Sequence, residues 1–187
     1  MQILSMDLEM NKPSDKIIQL GYTINNVKDG RTLLQRRIYI NPNEQLNPEI
    51  TQLTNIRQDQ VDMGVSLREA YDMMCADIDK HQTSKHPLQW GTDHEVLRDQ
   101  LGLEWKDYAF SRRAIDVKGL YQSYAMTRPQ GKTVAGLRKA CEVLGLEFEG
   151  KQHDGLDDAI NTFRVFKVLT DKMNGYDRVK KALTENK

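Results

Sequence analysis

Residues 2–9 read QILSMDLE, a short apolar run that ends in two acidic residues, Asp7 and Glu9. Such a run predicts a buried strand. Because side chains alternate along a strand, residues two apart point to the same face, and both carboxylates should meet at one place. Paired carboxylates repel each other unless a cation lies between them. Mg²⁺ and Mn²⁺ prefer oxygen ligands, so the segment predicts a site for such an ion.

The acidic pair also has an ordinary explanation, since 27 of the 187 residues are acidic and similar triplets arise by chance. Other examples are Asp77-x-Asp79, Asp93-x-Glu95 and Glu147-x-Glu149. The pair at residues 7 and 9 differs because it ends an apolar strand, where a buried carboxylate needs a partner. A metal site would require further acids from other parts of the chain.

The composition predicts one domain over residues 1–187, because domains usually hold roughly 100–200 residues. Apolar residues make up 39% and charged residues 29%, which is typical of a globular protein and excludes a disordered chain. With 27 basic and 27 acidic residues, the chain has no overall charge to attract nucleic acid. An anionic substrate would therefore be held by local basic residues or by a bound metal.

No apolar run approaches the roughly 18–20 residues of a membrane-spanning helix, and the first residues lack the pattern of a secretory signal. We therefore expect a cytoplasmic protein with no membrane partner. Cys75 and Cys141 are isolated in helical patterns and lack the spacing of a zinc site, so we expect two reduced thiols.

The first half of the chain predicts an antiparallel meander followed by helices. Its three strands are expected at residues 2–9, 16–24 and 31–40. Asn47 and Pro48 have the residue types that cap and begin a short helix. Ser66 with Glu69 forms a capping box for a long amphipathic helix that should cover the sheet.

The second half alternates strands with helices. Strands are predicted at residues 88–91 and 112–117, and helices are predicted to run through Leu101, Met126, Leu144 and Leu169, the third of them capped by Thr133. Residues 175–187 are expected to form a flexible extension. The alternation favours parallel strands added to the meander, so the predicted fold is α/β, a mixed five-stranded sheet flanked by helices.

Acidic residues recur where a strand ends or a helix begins. Asp93 follows the predicted strand at residues 88–91, and the spacing His153-x4-Asp158 places a histidine before the last helix and an acid in its first turns. Open α/β sheets collect functional groups at the carboxyl ends of their strands, so these residues can converge on one cleft. Asp157 is an alternative to Asp158, but its side chain should point about 100° away, toward the helix surface.

Four other residues are predicted to have no part in the site. We expect surface positions for His81, His86 and His94 and a structural role for Asp116. His153 also has an ordinary explanation as an exposed loop histidine.

These motifs resemble the DEDD superfamily of 3′-to-5′ exonucleases, in its histidine subtype, over almost the whole chain. The similar segments are Asp7-Leu8-Glu9, residues 92–97 (TDHEVL), residues 153–159 (HDGLDDA), residues 17–21 (IIQLG) and residues 53–56 (LTNI). The chain departs from the family pattern at Thr92, where an aromatic residue is usual, at Asn55, where glycine is usual, and at Met10, where a small hydroxyl residue is usual.

The resemblance implies a ribonuclease H-like fold and a two-metal nuclease. Asp7, Glu9, Asp93 and Asp158 would hold two Mg²⁺ or Mn²⁺ ions, with His153 as general base. Histidine suits this task because its ordinary pKa of about 6.5 lets it accept a proton at neutral pH. The implied reaction removes nucleoside 5′-monophosphates from the 3′ end of single-stranded DNA or RNA.

The resemblance also implies substrate contacts at Met10, Leu53 and Ile56, each of which has core packing as its alternative. Several cations in predicted loops could hold a phosphate backbone: Arg57, Arg112, Arg113, Arg128, Lys132 and Lys151. Two other functions stay open, a catalytically silent nucleic-acid-binding or adapter protein and an endonuclease or resolvase. A polymerase partner is possible but has no support in the sequence, and spacing does not distinguish RNA from DNA.

Overall fold

The structure is a computed structural model that describes residues 1–127 and 136–185, without the side chains of residues 176–185. Its strands are β1 (Gln2–Met10), β2 (Ile17–Asn26), β3 (Thr32–Tyr39), β4 (Leu88–Gln89) and β5 (Ile115–Asp116). They form one sheet in the order β3-β2-β1-β4-β5. The first three strands are antiparallel neighbours, whereas β4 runs parallel to β1 and β5 runs parallel to β4. The predicted mixed five-stranded sheet is confirmed.

Seven helices are described: α1 (Pro48–Thr54), α2 (Gln58–Asp62), α3 (Leu67–His81), α4 (Asp93–Leu101), α5 (Val117–Met126), α6 (Leu137–Leu144) and α7 (Gly155–Glu185). The predicted caps are confirmed: Asn47 accepts a hydrogen bond from the Glu49 amide, and Ser66 and Glu69 form a reciprocal capping box. α2 was not predicted, because Arg57, the residue before it, is not a typical cap.

The central strand β1 divides the molecule into two faces. Leu4, Met6 and Leu8 point to a core that includes Tyr71 and Met74 of α3. The alternate residues face α7, where the Ser5 hydroxyl donates a hydrogen bond to the Ala159 carbonyl at 2.8 Å. A second apolar cluster joins α5, α6 and α7 around residues such as Phe163 and Phe166. The acidic residues of β1 therefore lie on the face that carries the last helix.

Predicted boundaries in the second half of the chain differ from those of the structure, and β4 is two residues shorter than predicted. β5 has only two residues, because the Asp116 side chain accepts a hydrogen bond from the Lys118 amide at 3.0 Å and starts α5. This contact gives Asp116 the structural role that was expected. α6 begins after Gly136, and the predicted cap Thr133 lies outside the described residues. Of the extension predicted at residues 175–187, the structure describes Gly175 and a helical backbone as far as Glu185.

Both cysteine thiols are free, as expected. Among the described residues, no helix combines the length and the apolar character needed to cross a membrane.

Candidate active site

Two glycines bring the start of α7 directly onto the sheet. Gly21 of β2 pairs with Asp7 of β1, and Gly155 begins α7 above it. A Cβ atom added to Gly21 would lie 2.0 Å from the Gly155 carbonyl carbon, so only glycine permits this approach. The segment before α7 is thereby held beside the acidic end of β1.

Hydrogen bonds fix the orientation of that helix start. The Gly155 amide donates to the Gln19 side-chain oxygen of β2 at 2.6 Å. Asp154 caps the helix, because its Oδ1 atom accepts from the Leu156 amide at 3.1 Å. Gln19 is fully buried and lies opposite Glu9 in the sheet. No pattern in the sequence indicates the role of Gln19, because a glutamine in a strand has no position-specific meaning.

The structure brings three of the predicted site residues together. One possible ligand atom from each of Glu9, His153 and Asp158 lies within 4.8 Å of the other two. The His153 amide donates to Asp158 Oδ2 at 3.1 Å. The other oxygen, Asp158 Oδ1, is buried and has no hydrogen-bond partner among the described residues. A buried carboxylate oxygen without a donor is suited to a cation.

Asp93 approaches the same place from α4. It is the first residue of that helix, and its carboxylate accepts a hydrogen bond from the backbone of Leu8. Leu8 lies between Asp7 and Glu9, so Asp93 reaches the acidic end of β1. Asp7 and Asp93 are not part of the three-residue group, but electrostatic repulsion connects both to it.

Burial raises the pKa of all four carboxylates, and repulsion from neighbouring acids adds to it. Burial and then the charges of Asp93 and Asp158 raise the pKa of Asp7 well above its usual range. Burial and the charge of Asp158 raise the pKa of Glu9 to about 8. Burial is also the main cause for Asp93 and Asp158, each of which has a pKa of about 7. Clustered acids whose ionisation is opposed by burial and repulsion fit a site for divalent cations, which would stabilise the ionised carboxylates.

His153 differs from the acids in its electrostatics. It is half-buried, with φ of +63°, and it follows a loop that contains Lys151. Burial and then the Lys151 charge lower its pKa from the ordinary value of 6.5. The imidazole is therefore neutral at neutral pH and able to accept a proton. A half-buried histidine beside two carboxylates differs from the exposed loop histidine that was the alternative.

The predicted substrate-contact residues have three different environments. Met10 is half-buried at the end of β1, and Leu53 is exposed on α1. Ile56 is only 2% exposed and packs with Ile18 and Val61, which favours core packing over contact with a substrate. Asn55 has φ of +66°, so it supplies the left-handed turn that glycine would supply.

Two assignments from the sequence are wrong. His94 is fully buried, with its ring near Trp105 and Tyr108, so it is not a surface residue. Asp157 does not serve an exposed surface, because its side chain accepts a hydrogen bond from the Lys151 amide at 2.7 Å and pairs with Arg37.

The described cations among those predicted to hold phosphate are exposed. Arg57 pairs with Asp59, whereas Arg112 and Arg113 are exposed. Arg128 and Lys132 lie outside the described residues.

This sheet order, with acids from β1, α4 and α7 near the carboxyl end of the central strand, is typical of ribonuclease H-like nuclease domains. The chain matches the family model RNase_T, described as an exonuclease, over residues 4–166. It therefore belongs to this exonuclease family, which confirms the resemblance to the DEDD 3′-to-5′ exonucleases. Proteins of that superfamily generally use divalent metal ions.

The chain is similar to ERI1 exoribonuclease 2 of Xenopus laevis, with 27% identity over 176 residues, 81% of this chain and 25% of that protein. It is also similar to the 3′-5′ exonuclease Snipper of Drosophila melanogaster, with 30% identity over 167 residues, 78% of this chain and 58% of that protein. The chain thus spans about a quarter of the first relative and over half of the second.

Among solved structures, the fold is similar to the nuclease domain of 3′hExo, a DEDDh family member bound to rAMP. The TM-score is 0.77 at 21% identity, and the match covers 91% of this chain and 92% of that one.

Proposed function

We propose that this protein is a 3′-to-5′ exonuclease that hydrolyses single-stranded RNA or DNA from the 3′ end and releases nucleoside 5′-monophosphates. The observation that carries the proposal is the convergence of Glu9, His153 and Asp158, with an unpartnered oxygen on Asp158. Chain segments at opposite ends of the sequence supply these groups. The names of the two relatives described above support the same reaction.

The acidic residues fit a divalent metal centre because carboxylate oxygens are the ligands that such ions prefer, and Asp158 Oδ1 has no hydrogen-bond partner in the described part of the chain. We propose that Asp7, Glu9, Asp93 and Asp158 hold two Mg²⁺ or Mn²⁺ ions. When bound, such ions relieve charge on the phosphate and on the leaving oxygen.

His153 accepts the proton of the attacking water in this proposal. Its lowered pKa keeps the imidazole neutral and its half-buried position limits competing water. The His153 amide also orients Asp158 through its hydrogen bond to Oδ2. Leu53 offers an exposed apolar surface for the terminal nucleotide, with Met10 at the end of β1.

Digestion of matched 5′-labelled DNA and RNA oligomers tests the proposal, with Mg²⁺ or Mn²⁺ and with EDTA as a control. We expect a ladder that shortens from the 3′ end only when metal is present. Asp158→Ala and Asp7→Ala should abolish digestion, whereas Asp79→Ala, an exposed acid from another acid-x-acid pair, should leave it unchanged.

Three outcomes would contradict the proposal. Near wild-type digestion by Asp158→Ala would exclude this site. Cleavage of a circular or 3′-blocked oligomer at the same rate would support an endonuclease instead. Binding of oligomers without any digestion would support the catalytically silent alternative.

A further inference from the structure

A row of three paired residues crosses the sheet beneath the start of α7. Asp7 pairs with Gly21, and Gly21 pairs with Arg37 of β3. Paired residues of an antiparallel sheet point to the same face, and Gly155 occupies the space above Gly21. The beginning of α7 therefore lies between an acid of the site and an arginine.

Arg37 binds both sides of the segment that carries His153. Its Nε and Nη2 atoms donate to Asp154 Oδ1 at 3.0 and 2.8 Å, and Nη2 also donates to Asp157 Oδ1 at 3.1 Å. Asp154 follows His153 directly. Asp157 accepts the Lys151 amide through its other oxygen, which fixes the backbone just before His153.

The segment at residues 150–154 needs such restraint because its backbone is unusual. Gly150 and His153 both have positive φ, +73° and +63°. For a residue other than glycine, a left-handed conformation is sterically unfavourable. Contacts from the rest of the molecule must hold His153 in this conformation.

We propose that Arg37 is a positioning residue that clamps Asp154 and Asp157 and thereby holds the His153 segment against the metal-binding acids. The catalytic part of this inference rests on the proposed function, in which His153 accepts a proton. The clamp itself does not depend on it.

Arg36 provides a matched control on the same strand. Its Nε atom donates to Asp77 Oδ2 at 2.9 Å on the opposite face, and the two arginine side chains are similarly exposed, 44% for Arg36 and 35% for Arg37. Replacing Arg36 by glutamine removes its pairing with Asp77, and replacing Arg37 removes its pairings with Asp154 and Asp157. Only Arg37→Gln should affect the His153 segment.

The first test is trypsin digestion of the metal-free protein. Trypsin cleaves after Lys151, which is exposed in this segment, and the fragment 1–151 can be followed by mass spectrometry. We expect Arg37→Gln to accelerate this cleavage by about tenfold or more, because local opening determines the rate. Arg36→Gln should cleave there at the wild-type rate. Equal cleavage rates in the two variants would overturn the clamp.

The second test is a double-mutant cycle with His153→Ala. In the wild-type background we expect Arg37→Gln to lower kcat on the order of ten- to a hundredfold, since misplacing a reacting group costs this much. KM should change by less than about twofold. In the His153→Ala background the same substitution should change the residual rate by less than about twofold, because the two residues act as one unit.

The same double-mutant cycle distinguishes the proposed role of Arg37 from other roles. An equal loss in both backgrounds, or a loss confined to KM, would mean that Arg37 acts on the fold or on substrate phosphate instead of His153. Arg37→Lys should restore kcat only in part, because lysine cannot bind two carboxylates with a planar fork. If the wild-type protein digests no oligomer, the proposed function fails, and the trypsin experiment still decides the clamp.

Discussion

At the scale of residues, β1 and β2 show how a polar face is buried between a sheet and a helix. Ser5, Gln19 and Thr23 are each fully buried on or next to the face that carries α7. Small and amide side chains there leave room for the helix and supply hydrogen bonds to its backbone. The spacing between the sheet and the site therefore depends on single residues, above all on Gly21.

Gly21→Ala should destabilise the protein by several kcal/mol and abolish activity. The new Cβ would lie about 2 Å from the Gly155 backbone, and neither element can move without breaking other contacts. Thermal unfolding and metal titration would measure the loss. Gly175→Ala is the control, because within the described part of the chain no atom lies within 4 Å of a Cβ built there. That variant should be neutral or stabilised by up to about 1 kcal/mol.

The residues that the sequence assigned wrongly are those whose surroundings come from distant parts of the chain. His94 is buried because Trp105 and Tyr108 cover its ring, and no local pattern around residue 94 shows this. Asp157 has a role because Arg37 of β3 and the Lys151 amide both bind its carboxylate. Asp7 and Glu9, in contrast, were found because strand alternation alone places them together.

At the scale of elements, α4 has an unusual beginning. Thr92 precedes the helix but makes no capping hydrogen bond within the described residues. Gln89 of β4 supplies the acceptor, since its side-chain oxygen receives the His94 amide at 2.8 Å. A strand residue therefore sets the position of the helix that carries Asp93.

Gln89→Met should lower both the free energy of unfolding and the affinity of the site for metal. It leaves the buried His94 amide without an acceptor, which costs about 1–3 kcal/mol. Thr92→Ala should lower the free energy of unfolding by less than about 0.5 kcal/mol, because the Thr92 side chain makes no capping hydrogen bond within the described residues. Denaturant unfolding would give the stabilities, and calorimetry with Mn²⁺ would give the affinities. An equal cost for both variants would contradict the role of Gln89.

Elements with strong local signals were predicted well. The meander follows from apolar alternation and turn residues, and α1 and α3 follow from their caps. α2 and the two-residue strand β5 have weaker signals, because their positions depend on packing against the sheet. The start of α7 was located by His153-x4-Asp158, whereas the approach of Gly155 to Gly21 required the fold.

At the scale of the whole molecule, the charges balance but are unevenly placed. The chain has 27 acidic and 27 basic residues, yet four acids meet at one end of the sheet with raised pKa values. In a metal-free protein this arrangement opposes folding once the acids ionise. Divalent ions should therefore affect stability as well as activity.

We expect the metal-free protein to lose stability as pH rises from about 4 to about 8. The ordinary pKa values are 3.8 for aspartate and 4.5 for glutamate, whereas the folded values are about 7 for Asp93 and Asp158 and about 8 for Glu9. In this range the folded state binds more protons than the unfolded state, so unfolding is favoured as protons leave.

Saturating Mn²⁺ should reverse this loss. Ligand at about 100 times Kd contributes roughly 2.7 kcal/mol, and for a chain of this size each kcal/mol raises Tm by roughly 2–4 °C. The increase should be larger at pH 8 than at pH 5, where protons compete for the carboxylates. Thermal scans at both pH values, with Asp158→Asn as a control that shows a reduced increase, would check this.

The connection between the first strand and the last helix has a consequence for protein synthesis. Glu9 leaves the ribosome long before Asp158 and His153 are made, and the three groups meet only when α7 has docked on β1. A nascent chain that ends before residue 153 lacks the histidine and one of the acids. Any hydrolytic activity at this site therefore begins only after α7 has been synthesised and has docked on β1.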